Sequence, residues 1–249
     1  MPESLVSRDT WQSQWAEAST VYGLPFAEDL VPTFPNTPQA SFLEIGCSPG
    51  GILTDVCGRL RYVAYGVDPS CDPRQIRAVL DGAGVTVGEI WSEDIFQWNP
   101  RRRFDIVASF GFIEHFDDPG AAIARHFDLV RPEGTVLIGV PNFARGQWLL
   151  HRVFDEEMLR GHNLRAMKRG FLQSAAESCG GTAIRVRYVG GHFGFWLSGR
   201  TRRSRFRERA MWQTIRVIKM LARHAPGRSN PLLSPYLWLS CNAGGELEA

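Results

Sequence analysis

The residues of this chain that can do chemistry stand where short apolar segments end. Glu44 opens the run Glu44-Ile45-Gly46-Cys47-Ser48-Pro49-Gly50-Gly51, a glycine-rich bend leading from a strand into a helix. Small residues at such a bend let a ligand approach the backbone closely, and the first turn of the helix offers free N–H groups. Asp68 ends the following strand, in YGVDPS, where one carboxylate can accept both hydroxyls of a ribose. Glu114 and His115 follow a later strand. An imidazole with a pKa of about 6.5 suits a general base at neutral pH, and a neighbouring carboxylate can orient it. Binding of an adenosyl-type ligand and removal of a proton are therefore the two chemistries to weigh.

Two nucleotide signatures compete for the bend. A phosphate-binding loop needs Gly-Lys-Ser/Thr, which is absent. A dinucleotide fingerprint needs glycine at its first, third and sixth positions. Those positions are Gly46, Ser48 and Gly51, so the middle glycine is missing. Asp68 serves dinucleotide and other adenosyl binders alike.

The elements that must hold these residues read as alternating strands and helices. SFLEIG, YVAYGVD, VTVGEI, FDIVASF and TVLIGV are short apolar strands, separated by helices such as GGILTDVCGRL, PRQIRAVLDG and PGAAIARHFDLV. That rhythm predicts a parallel sheet covered on both faces. Two further strands, TAIRVRYVGG and SPYLWLSCNAG, lack an ordinary crossover and predict a terminal antiparallel hairpin. The fold class expected is α/β, a doubly wound Rossmann-like seven-stranded sheet, mostly parallel, with a helical insertion. Residues 1–39 read as an N-terminal helix and linker covering the site, with LVPTFPNTP crossing the surface. Residues 40–190 and 234–249 form the core, and 191–233 form an inserted basic amphipathic helical segment.

Composition narrows the class. The chain has 249 residues, 44% hydrophobic and 22% charged, as expected for a globular domain. The five cysteines are an odd number without Cys-x-x-Cys spacing, which argues against a disulfide framework and a structural zinc site. The polar N-terminus and the lack of a long apolar run point to a cytoplasmic location. The net charge is +2, yet Trp196 to Arg228 holds ten basic residues against one acid, Glu208. From Arg203 to Arg223 apolar residues recur at helical spacing beside an arginine-rich face.

The ordered set resembles the class I S-adenosylmethionine-dependent methyltransferases. FLEIGCSPGG is similar to their first motif, YGVDPS to the second and WSEDIFQW to the third. FDIVASFGFIEHFDDP and RPEGTVLIGVPN resemble the fourth and fifth strands with their flanks. The resemblance implies S-adenosyl-L-methionine as cofactor. Glu44, Gly46, Cys47, Ser48 and Gly50 would meet its amino-acid end and the bend. Asp68 and Pro69 would lie at the ribose, Asp94 and Ile95 at the adenine, and Ser109 and Phe110 at the mouth. Asp94 also fits a plain helix N-cap. The family usually has glycine where Ser48 stands.

The family's Asn/Asp-Pro-Pro-aromatic signature of planar-amine methylation is replaced by Ser109-Phe110-Gly111-Phe112. That shifts weight to a hydroxyl oxygen, with His115 as general base, Glu114 beside it, and His192 as a second catalytic candidate. The Glu-His pair also resembles that of small-molecule O-methyltransferases, including ubiquinone-pathway enzymes. Some of these hold acceptor oxygens on a divalent metal and carry a further glutamate three residues earlier, where this chain has Gly111. No metal ligand is therefore assigned; Mg²⁺ stays an alternative, with Asp117 and Asp118 as substitutes.

The acceptor expected first is a saccharide hydroxyl, then an aromatic or polyketide-like one, met by Phe143, Trp148, Phe154, Phe193, Phe195 and Trp196. The basic helix over 200–223 reads as a solvated face, or as a contact with a membrane or an anionic acceptor; nucleic acid is disfavoured. A dinucleotide-dependent oxidoreductase and a non-catalytic binding protein are the readings from other classes.

Overall fold

The strands follow one another in the expected order but are laid down from the middle of the sheet outward. The computed structural model describes residues 1–16, 23–190, 205–224 and 229–245. Its elements are α1 (Arg8–Ala16), α2 (Ala27–Leu30), β1 (Ser41–Ile45), α3 (Gly51–Leu60), β2 (Val63–Val67), α4 (Pro73–Gly82) and β3 (Val87–Trp91). There follow β4 (Phe104–Phe110), α5 (Pro119–Leu129), β5 (Val130–Pro141), α6 (Gly146–Phe154), α7 (Glu156–Arg160), α8 (Arg169–Ser178), β6 (Gly181–Val189), α9 (Arg205–His224) and β7 (Tyr236–Ala243). The sheet order is β3-β2-β1-β4-β5-β7-β6. Strands β3 to β5 are parallel, and β7 runs antiparallel between β5 and β6. The antiparallel pair at the end of the chain is as the sequence implied, with α9 lying in the connection between its strands.

Alternation along β1 divides the core. Leu43 and Ile45 face a cluster shared with Val107, Ile138, Ile123 of α5 and Leu172 of α8. Phe42 faces the other side, with Ala64, Leu53 of α3, Leu80 of α4 and Trp238. Strands covered on both faces need continuous apolar runs, which is why SFLEI and FDIVASF alternate so little in polarity. Asp72 caps α4 by accepting from the Arg74 N–H at 2.9 Å. Asp118 caps α5 by accepting from Gly120 and Ala121, each cap being followed by a proline at the first helical position. No helix of the described residues is long and apolar enough to cross a membrane.

Two expectations change. The proline-rich stretch after residue 30 does not merely cross the surface. Leu30 and Phe34 are buried, and Phe34 packs on Phe42 and Trp238 at 6.2 and 5.8 Å between ring centres. The Tyr62 hydroxyl donates to the Pro35 carbonyl and fastens the stretch. The sequence pattern missed this because prolines mask two isolated apolar anchors. The helix over 205–224 is where the periodicity put it, but among its described side chains, 205–221, only Met211 and Ile215 are buried, while Phe206 is 81% exposed. His192, Phe193, Phe195, Trp196 and Arg200 to Arg203 lie outside the described residues.

Trp238 joins the hairpin to this core. It is fully buried, stacks on Phe110 at 5.6 Å, and its indole nitrogen has no hydrogen-bond partner. Trp238→Ala should lower unfolding free energy by about 3–5 kcal/mol in urea titrations. Trp238→Phe should lose far less, since it also removes a buried unpaired donor. Equal losses would contradict this packing.

Candidate active site

Strand order reverses between β2-β1 and β4-β5, so the connections leaving β1 and β4 diverge and open a crevice at the carboxyl ends of the strands. The bend after β1 forms its floor. Gly46 has φ +76°, and a Cβ there would come within 2.8 Å of the Phe112 ring. Gly50, at φ +95°, precedes the first residue of α3, and its N–H donates to the Cys47 carbonyl at 2.7 Å. Both positions need glycine for backbone conformation, and Gly46 also for space. The Cys47 side chain points the other way, into the core toward Gly66, where a Cβ would stand 2.6 Å from its sulfur. Cys47 thus offers the crevice only its backbone.

Asp68 ties β2 to this bend. Its carboxylate accepts from the Ser48 N–H at 3.2 Å and from the Ser70 N–H at 2.7 Å. Burial raises its pKa, and those two N–H donors together with Arg8 offset the rise only in part. Pro69 beside it is half-buried. Glu44 is 2% exposed and its Oε2 has no partner. Burial and the nearby Asp68 push its carboxyl well above the usual range, against a hydrogen bond from the Leu53 backbone.

The adenine side is less open than the motif implied. Asp94 accepts from the Phe96 N–H at 2.9 Å and from the Gln97 side chain at 3.2 Å, as an N-cap would. Ile95 is buried in the core cluster, while Phe96 lies against Phe116 at 5.1 Å. Ser109 does not face the crevice. It is fully buried, its hydroxyl donating to His126 Nε2 at 2.9 Å, while His126 Nδ1–H donates to the Ala122 carbonyl at 2.8 Å. Burial holds His126 neutral, its pKa lowered to about 4. Phe110 packs on Trp238 rather than toward a ligand.

Glu114 and His115 form a short 3₁₀ turn after β4. Glu114 is fully buried, and neither carboxylate oxygen has a partner. Desolvation, against the pull of its own backbone N–H, pushes its pKa up to about 8. Gly111 leaves the space in front of it, a Cβ there lying 3.5 Å from Oε1. His115 Nδ1–H donates to the Gly161 carbonyl at 2.8 Å. Burial, then the neighbouring His162, lower its pKa to about 3. The Trp11 ring lies edge-on to it at 4.8 Å, and the His162 ring at 4.6 Å. The N-terminal segment reaches the same turn, with the Leu5 N–H donating to the His115 carbonyl at 2.7 Å.

Sequence reasoning placed His162 only with His151 and His192 in the regions expected to form the acceptor pocket, and preferred His192; His162 lies 47 positions beyond His115 with no local pattern to mark it. Asn163 places it. The Asn163 N–H donates to the Glu114 carbonyl at 2.6 Å, and its side-chain amide donates to the Phe116 and Asp117 carbonyls at 3.0 Å. Tyr236 was missed. It is buried, and its hydroxyl would lie 2.8 Å from a Cβ at Gly139. Burial, Glu114 and Glu44 hold it protonated well above the usual range.

Among the described residues, Glu114, His115 and His162 are the one group with metal-like spacing, their ligand atoms lying within 4.8 Å of one another. Two imidazoles and one carboxylate do not fit Mg²⁺, which takes oxygen ligands. Asp117 and Asp118 do not supply the missing oxygens. Asp118 is spent on capping α5, and Asp117 accepts from the Glu3 N–H at 2.8 Å.

Known proteins share this architecture. A family model described as a methyltransferase domain matches residues 22–180, more than half of the chain. A ubiquinone biosynthesis O-methyltransferase from Serratia proteamaculans is 31% identical over 121 residues, covering 47% of this chain and 49% of that protein. One from Methylococcus capsulatus is 27% identical over 154 residues, covering 60% and 64%. The chain thus spans about half the length of the first curated relative it matches. Among solved structures, phosphoethanolamine N-methyltransferase 2 of Haemonchus contortus, in complex with S-adenosyl-L-methionine, superposes with a TM-score of 0.58 at 14% identity, covering 96% of this chain and 57% of that one. Magnesium protoporphyrin IX methyltransferase from Synechocystis gives 0.54 at 12% identity, covering 95% and 83%. At such identities the likeness is one of fold.

The burial of Glu114 has a thermodynamic consequence. Its folded pKa of about 8 lies above the ordinary value of 4.5, so between these values the folded chain holds a proton that the unfolded chain releases. Stability is present below about pH 4.5 and is lost as pH rises through about 8, by up to about 1.4 kcal/mol per pH unit. Glu114→Gln removes that slope. Urea midpoints should show the variant more stable than the parent at pH 8, with the gap closing toward pH 5. A gap independent of pH would contradict the assignment.

Proposed function

The chain belongs to the methyltransferase-domain family, with the fold of the class I S-adenosylmethionine-dependent enzymes, and from that premise we propose that it methylates a hydroxyl oxygen of a small molecule. The residues around the bend suit the cofactor. Glu44 Oε2 is a buried acceptor in need of a donor, as the cofactor's ammonium would be, and Gly46 and Gly50 leave the backbone uncovered. Asp68 stands at the tip of β2, where a ribose would exchange for the bond to Ser48. When bound, S-adenosylmethionine supplies an electrophilic methyl group on a sulfonium.

The observation that carries the reading is Glu114, a buried carboxylate without a partner at the mouth of β4. A carboxylate with a pKa of about 8 is well matched to removing a proton near neutral pH. His115 is less suited to that task in this state, because its pKa of about 3 makes it a feeble base. Its bonds to Gly161 and its contacts with His162 and Trp11 suit it to shaping the pocket instead. Glu114 would take the acceptor's hydroxyl proton as the oxygen gained the methyl group and the methyl–sulfur bond broke, the products being a methyl ether, a neutral thioether and a neutral carboxylic acid.

The same match bears on the acceptor. A phenol, with a pKa of about 10 like that of tyrosine, lies close to the reach of this base. A saccharide hydroxyl is a far weaker acid and would ask more of it. The aromatic residues expected to meet either kind of acceptor do not decide between them: Phe193, Phe195 and Trp196 lie outside the described residues, Phe143 is buried in the core, Phe154 is half-buried and Trp148 is 41% exposed. On acidity a phenolic hydroxyl is the acceptor class favoured; the curated relatives are named as O-methyltransferases of ubiquinone biosynthesis. A saccharide hydroxyl is the acceptor to test against it.

Two experiments test the reading. Calorimetry with S-adenosylhomocysteine should show binding that weakens at least about tenfold in Asp68→Ala, as loss of a charge-assisted pair implies; unchanged affinity would reject the cofactor site. Label transfer from methyl-labelled cofactor to a panel of phenols and sugars should give kcat rising with pH to a plateau above about 8. Glu114→Gln should lower it by about 10²–10⁴, and His115→Ala by less. A flat pH profile, or full activity in Glu114→Gln, would remove Glu114 from the chemistry.

A further inference from the structure

Exposed apolar surface is concentrated on one part of the molecule. Among the described residues eleven large apolar side chains are exposed. All but Met1 and Leu5 lie on α6, on α9, or at Leu232, whose carbonyl abuts Gly146 at the start of α6. These two helices pack together through a small cluster of Leu150, Met211 and Ile215, with Phe154 and Ile218 beside it. The Arg207 side chain donates to the Val153 carbonyl at 2.6 Å and joins the end of α6 to the start of α9. The inward faces are thus accounted for, and the outward faces mix large apolar side chains with basic ones.

At about 100° per residue, Arg205, Arg209 and Arg216 form one stripe along α9, about 120° around the helix from Met211 and Ile215. Phe206 and Val217 lie along one side of that stripe, at 81% and 49% exposure, and Trp212 and Lys219 along the other, Trp212 at 51%. The single acid of the helix, Glu208, falls toward the inward face. Helix α6 adds Trp148, Leu149 and Val153, exposed around Arg152, whose guanidinium pairs with Glu156 at the start of α7. Ordinary monomers scatter such side chains rather than gather them.

We propose that the outward faces of α6 and α9 dock on an anionic lipid surface, the arginines meeting phosphate headgroups while Phe206, Trp212 and Trp148 enter the interfacial layer. The charge pattern chooses the occupant. A second copy of the chain on this face would bring like-charged stripes together, which is unfavourable. A nucleic acid would satisfy the arginines but leave the exposed phenylalanine and valine beside them in water. A bilayer with acidic headgroups answers both features at once. The inference goes beyond methyl transfer and does not depend on it.

The test is co-sedimentation of the full chain with vesicles of phosphatidylcholine alone and of equal parts phosphatidylcholine and phosphatidylglycerol. Pelleting is expected only with the anionic vesicles, with a blue shift of tryptophan emission and weakening as salt is raised. Arg209→Glu with Arg216→Glu should abolish it. Phe206→Ser with Trp212→Ser should weaken it at least about tenfold. These side chains are exposed, so melting temperature and S-adenosylhomocysteine affinity should stay at the parent values, which separates this test from that of the enzymatic reading. Failure to pellet with anionic vesicles at low salt would overturn the proposal. So would binding indifferent to both paired variants, self-association that Phe206→Ser disrupts, or a preference for a short RNA over the vesicles.

Discussion

Carboxylates that leave water without gaining a counter-charge govern this structure. Glu44, Asp68 and Glu114 gather at the carboxyl ends of β1, β2 and β4, all less than 10% exposed. Such burial is unfavourable unless a group is paired or neutralised. Asp68 is raised by burial too, and its two backbone N–H donors and the field of Arg8 work against that rise. Glu44 and Glu114 keep oxygens unpaired and shift upward. A fold selected for stability alone would not leave two such groups in one crevice. Their missing partners fit a cationic ligand at Glu44 and a proton to be removed at Glu114.

The rest of the architecture keeps that crevice shaped. Reversal of strand order opens it, and the two glycines of the bend allow a ligand near the backbone while Phe112 closes over Gly46. Asn163 clamps the Glu114 turn with three hydrogen bonds and delivers His162 against His115. The N-terminal segment completes the wall through Leu5 and Trp11. Residues more than a hundred positions apart therefore meet at one short turn.

What could be read from the sequence followed from local periodicity. Apolar runs marked the strands, prolines after Asp72 and Asp118 marked helix starts, and the ends of β1 and β2 carried their acids in plain view. What could not be read depended on distant partners. Ser109 lies at the end of an apolar strand, and only the fold brings His126 beneath it. His162 has no signature, because its role arises from the hydrogen bonds of Asn163 to a turn nearly fifty positions earlier. Leu30 and Phe34 looked like linker residues because two anchors make no period. Helical spacing in α9 tells which residues share a face, and the short contact with α6 decides how much of that face is covered.

A crystal structure of the chain with S-adenosylhomocysteine addresses the central claim most directly. The account predicts the ligand lying across Gly46 to Gly50, its ribose hydroxyls on Asp68, its ammonium on Glu44, and Glu114 facing the position from which the methyl group would leave. A ligand bound elsewhere, or a complex in which Glu44 and Asp68 keep their present partners and gain none, would contradict it.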